Sequence, residues 1–136
     1  MSIPGYCAQA AKPFNHPSPT RLQHSPHPWV APNYIAKTQF AERLEASNLA
    51  KEQQQYVRKF VGVFLFYARA IDNTMLTALN LIGSNQCTNS FKKLNKRIYQ
   101  FLDYAATHPD AKLTFITSKM HLWSHTDASY LSETRA

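Results

Sequence analysis

Three sets of side chains in this sequence could do chemistry. Asp127 sits in LWSHTDASYLSE (122–133), where an apolar, strand-like run delivers a lone carboxylate into a turn rich in Ser, Thr and His. A strand end of that kind can hold a divalent cation when other carboxylates converge on it. Lys92, Lys93, Lys96 and Arg97 form a cationic run suited to phosphate contact. His16, His24 and His27 supply imidazoles, common ligands of zinc and copper.

The sequence ranks these differently. Metal sites need a rigid scaffold or further ligands, and the three histidines alternate with prolines in a stretch, residues 1–41, that contains no Asp or Glu. They read as solvated or packed histidines in a Pro-rich strap. Cys7 and Cys87 are far apart and lack CxxC spacing, so neither a zinc site nor a disulfide framework is indicated. Fifteen Lys and Arg against eight Asp and Glu leave a net charge of +7, a balance that favours polyanions such as nucleic acid.

The elements that must position these groups follow from the hydrophobic pattern. Seven of the eight prolines fall in the first forty residues, so the folded body should be the C-terminal two-thirds. A short helix is expected over 2–12, stopped by Pro13, and an extended connector after it. From about Ser47, Val57, Phe60, Val61, Phe64, Leu65 and Ala68 follow a helical template. Phe66 and Tyr67 predict burial on several sides for its C-terminal half. Asp72 to Thr74 should cap a second helix carrying Met75, Leu76, Leu79 and Ile82 and ended by Gly83.

A third helix is predicted over 88–107. At about 100° per residue, Phe91, Leu94, Ile98, Phe101, Leu102 and Ala105 make one stripe, while Lys92, Lys93 and Lys96 point the opposite way with Arg97 toward one flank. After His108-Pro109-Asp110 the period changes. The 113–116 run alternates and MHLWSHTD follows Ser118-Lys119, which predicts a β-hairpin. No apolar run approaches the roughly 20 residues that span a bilayer, and the N-terminus has proline and glycine where a signal peptide would be apolar. An intracellular setting without membrane contact is the expectation.

The runs SIPGY (2–6), F-x-H-P-x-P (14–19), H-S-P-H-P-W (24–29), V-G-x-F-L-F-Y-A-R-A-I-D-x-T-M-L (61–76), F-L-D-Y-A-A-T-H-P-D-A (101–111) and H-T-D-A-S-Y-L-S-E (125–133) together resemble the polyprotein of copia-type LTR retrotransposons. The matching region there joins the reverse transcriptase thumb to ribonuclease H. The resemblance implies a thumb remnant at 1–12, a Pro/His-rich connector at 13–47, a helical connection region at 48–108 and a truncated start of a ribonuclease H-like domain at 109–136. The fold class expected is mainly α with a short β-hairpin, an α+β fragment with an incomplete ribonuclease H-like sheet.

By the same resemblance, Asp127 matches the first metal-binding carboxylate of ribonuclease H. The parent family uses Mg²⁺, but one carboxylate supplies one vertex of a site that needs several, so no tight cation binding is expected. The function implied is a truncated reverse transcriptase/ribonuclease H fragment without activity of its own. Two other readings stand beside it. One is a basic module that binds an RNA–DNA hybrid or other nucleic acid without sequence preference through Lys92, Lys93, Lys96 and Arg97; the other is a structural or inhibitory partner of an intact retroelement polymerase.

Overall fold

A computed structural model describes residues 1–28, 49–84 and 90–117. Within them the chain forms four α-helices: α1 (Tyr6–Ala11), α2 (Lys51–Ala70), α3 (Thr74–Ser84) and α4 (Phe91–Thr107). A 3₁₀ turn, Lys12–Phe14, follows α1. Pro13 takes an early position there, where its missing N–H costs nothing, and Asn15 closes the turn in the left-handed region at φ 48°.

Helix α2 is preceded by Ala50, whose N–H donates to Gln53 Oε1 at 3.3 Å. This is half of a capping box; alanine has no side-chain oxygen to make the other half. Its buried stripe is Val57, Phe60, Phe64, Tyr67 and Ala68; Val61 and Leu65, which the sequence spacing also placed in the stripe, are half-buried at its edge. Helix α3 is capped as expected, since Asp72 Oδ1 accepts the Thr74 N–H at 3.1 Å and its hydroxyl at 2.5 Å. Gly83 lies inside the last turn of α3, which runs on to Ser84.

Helices α2 and α3 pack most closely, α1 and α3 each lie against α4, and α4 reaches α2 through large side chains; the buried residues of all four form one core. Phe101 meets Phe60 and Phe64 edge-on at 5.2 and 5.0 Å, and Phe14 adds its ring to Phe60 at 5.3 Å. Edge-to-face packing sets the positive rim of one ring on the negative face of the next, and each ring buried this fully contributes about 1.5–3 kcal/mol. Phe60, Phe64 and Phe101 are fully buried and Phe14 nearly so. The 3₁₀ turn is thereby pinned to the helical body.

Beside the aromatic cluster is a buried polar lock. The Tyr104 hydroxyl donates to Asp72 Oδ2 at 3.3 Å and lies 2.8 Å from Thr74 Oγ1. Tyr67 is fully buried against Tyr6, their rings stacked at 5.2 Å, and its hydroxyl accepts the Ala111 N–H at 3.2 Å. Burial pushes the Cys7 thiol up to about 11 and the Tyr67 phenol up to about 12, because both are held neutral in an apolar surrounding.

Two expectations are corrected here. Phe66 is 59% exposed, so the C-terminal half of α2 is not buried all round; the Phe66 ring lies 6.1 Å from that of Tyr6, tilted by 52°. The larger correction concerns the β-hairpin and the α+β fold class. Among the described residues there is no strand, and the first predicted arm runs through 112–117 without regular structure.

The physical reason is that the alternating run finds no surface to cover. Phe115 and Ile116 are 77% and 85% exposed, so neither face of the segment is buried. Its start is instead held by the N-terminal region. Leu113 and Met1 exchange backbone hydrogen bonds at 2.9 and 2.7 Å, and the Gly5 N–H reaches Asp110 Oδ1 at 3.4 Å. One such pair is not a ladder. The second predicted arm, ending in Asp127, lies outside the described residues.

Candidate nucleic-acid interface

The outer face of α4 carries the charge. Ser90 precedes the helix in extended conformation, with φ −62° and ψ 147°, and its carbonyl accepts the N–H groups of Lys93 and Leu94 at 3.0 and 3.2 Å. Its side chain makes no cap, and the first turn holds no acidic residue. The unpaired N–H groups at a helix start give that end a partial positive charge, and acids are the side chains that normally complement it. Here the first two turns present Lys92, Lys93, Lys96 and Arg97 instead.

The three lysines are exposed, while Leu94 and Ile98 on the other side of the helix are fully buried. The core-facing stripe thus fixes the rotation of the helix and turns the cations outward. Arg97 lies on the flank and is half-buried; one of its guanidinium nitrogens, Nη1, is buried and has no protein partner. Among the described residues none of the four forms an ion pair with a carboxylate. Tyr99, 44% exposed, stands one turn beyond Lys96 on the same side.

The C-terminal half of α4 is used differently. His16 Nε2 donates to Asp103 Oδ1 at 2.7 Å, Thr107 Oγ1 accepts the Gln23 N–H at 3.0 Å, and Gln100 Nε2 donates to the Ser25 carbonyl at 3.3 Å. These bonds lay residues 16–25 along the helix. His24 meets His108 here, with Nδ1 and Nε2 3.1 Å apart. His27 instead points back to its own strap, 3.1 Å from the Pro28 carbonyl.

The structure therefore separates the three histidines that the sequence grouped. Sequence reasoning gives His108 only a place in the helix-ending His108-Pro109-Asp110 run and does not group it with the other histidines, because it sits 84 residues from His24 and shares no motif with it. Its position after the last turn of α4 was the available signal. Asp127 lies outside the described residues, and its environment is not part of this geometry.

No family model, curated protein or solved structure matches this chain. The resemblance to copia-type polyproteins, with the reverse transcriptase and ribonuclease H fragment it implied, is overturned by the architecture. A ribonuclease H-like start requires a sheet, and the described residues are helical with no strand. They also contain no group of three or more His, Cys, Asp or Glu able to hold a metal ion. Among them no helix is long and apolar enough to cross a membrane.

Proposed function

We propose that the chain is a small helical module that binds nucleic acid through its phosphates, without reading sequence. The observation that carries this reading is the start of α4, where Lys92, Lys93 and Lys96 are exposed at the positive end of a 17-residue helix and no acid offsets them. Cations at that end oppose the helix dipole and repel one another, at a cost of about 0.3–1 kcal/mol each. A polyanion laid along the face reverses the sign of both effects. The net charge of +7 points the same way.

Phosphate contacts fix position but carry no base information. Binding should therefore be similar for unrelated sequences and fall steeply with salt, as counterions condensed on the nucleic acid are no longer released in profit. The test is fluorescence anisotropy with labelled single-stranded, duplex and RNA–DNA hybrid oligonucleotides over a salt series. The Lys92→Glu/Lys96→Glu double variant should bind at least tenfold more weakly and show a log–log salt slope shallower by about 2, one for each lost phosphate contact. Equal affinity and equal slope for the parent chain and the variant would remove α4 from the interface.

A further inference from the structure

The pair formed by His24 and His108 lies at the opposite end of α4 from the basic face. Two neutral imidazoles that face each other through ring nitrogens can share one proton, or they can turn both lone pairs onto one cation. The distances suit the second arrangement. Two imidazole nitrogens bound to a tetrahedral zinc at about 2.0–2.1 Å stand about 3.3 Å apart, and Nδ1 of His24 and Nε2 of His108 are 3.1 Å apart with ring planes inclined at 56°.

The surroundings hold both rings in place without closing the site. His24 lies between two anchors of the strap to α4, the Gln23 to Thr107 bond at 3.0 Å and the Gln100 to Ser25 bond at 3.3 Å. His108 is the residue that ends α4; its N–H donates to the Tyr104 carbonyl at 2.9 Å and its ring rests 5.0 Å from that of Tyr104. His24 is exposed and His108 half-buried, so water can complete a coordination shell. The last turn of α4 contains no basic side chain. Its unpaired carbonyls give a partial negative charge, which favours a cation at this position.

We propose that His24 and His108 form a bidentate site for a late first-row divalent cation, copper or zinc, with water filling the remaining positions. Imidazole donors without a carboxylate suit these ions and not Mg²⁺ or Ca²⁺, and the usual order of affinities places Cu²⁺ above Zn²⁺. The ion ties the strap to the end of α4 across 84 residues of sequence. Binding to the folded chain alone raises its stability by mass action.

The experiment titrates the full chain with Cu²⁺ and with Zn²⁺, reading heat of binding and thermal midpoint. One ion per chain is expected, with a higher midpoint when it is bound. His24→Ala and His108→Ala should each weaken Cu²⁺ binding at least tenfold, while His27→Ala stays within twofold of the parent. Electron paramagnetic resonance of the Cu²⁺ complex should report two coordinated imidazole nitrogens. It is read on the parent chain, so it decides the matter even where a variant fails to fold. The proposal is overturned by absence of binding, by unchanged affinity in both His24→Ala and His108→Ala, by loss of binding in His27→Ala, or by a spectrum with fewer than two imidazole ligands.

Discussion

The two halves of α4 are built from the same helix and spend their polar groups in opposite ways. In the C-terminal half Asp103 takes His16, Tyr104 takes Asp72, Thr107 takes Gln23 and His108 meets His24. In the N-terminal half Lys92, Lys93, Lys96 and Arg97 meet no carboxylate among the described residues. A polar group spent on an internal contact adds to the fold but is lost to a partner. The polar groups thus differ along the helix: those at one end are spent on contacts within the fold, and the cations at the other meet no carboxylate among the described residues.

The largest test of that division is Phe101→Ala. Its ring is fully buried between Phe60 and Phe64, and truncation should cost about 3–5 kcal/mol of unfolding free energy in urea titration. A loss under 1 kcal/mol would mean that this half of the helix does not organise the core. Next comes Asp72→Ala, which strips the acceptor from the Thr74 N–H, the Thr74 hydroxyl and the Tyr104 hydroxyl. The buried Tyr104 hydroxyl left without its acceptor, together with the lost cap of α3, should lower stability by about 1–3 kcal/mol, with Asp72→Asn intermediate.

Alkaline pH probes the buried lock without a mutation. Cys7, ordinarily near 9.0, is pushed up to about 11, and Tyr67, ordinarily near 10.0, up to about 12, in both cases chiefly by burial. The unfolded chain gives up these protons at lower pH than the folded one. Stability is therefore full below about pH 9 and falls as pH rises toward 12. Urea midpoints taken from pH 8 to 11.5 should show the decline, and Cys7→Ala should flatten its lower part. A midpoint constant up to pH 11 would contradict the burial of both groups.

The smallest effect is the most specific to the comparison. Lys92→Glu places an acid in the first turn of α4, where it complements the helix dipole. It should raise stability by about 0.3–1 kcal/mol at low salt while weakening nucleic-acid binding. A residue whose replacement stabilises the fold and impairs binding is one held for a partner. Equal loss of both properties would place Lys92 in the structural half instead.

Much of the helical body was legible in the sequence. The stripes of α2, α3 and α4 follow from residue spacing because a helix of fixed pitch brings every third or fourth side chain to one face. The Asp72 cap was legible for the same local reason. The exposure of Lys92, Lys93 and Lys96 followed from the stripe opposite them. The hairpin was misjudged because alternation measures only whether a segment could cover an apolar surface. Leu113 found a single backbone partner in Met1, and Phe115 and Ile116 found no cover.

What the sequence determined by itself, then, is which residues face inward on each helix and which end of α4 is basic, since both depend on neighbours within a few residues. The tertiary structure alone decided how the Pro-rich strap is used. Contacts such as His16 with Asp103 and His24 with His108 join residues more than eighty positions apart, and local periodicity is blind to such pairs. They exist because Phe14 is buried in the aromatic core, which fixes the start of the strap and leaves its polar groups to find partners along α4.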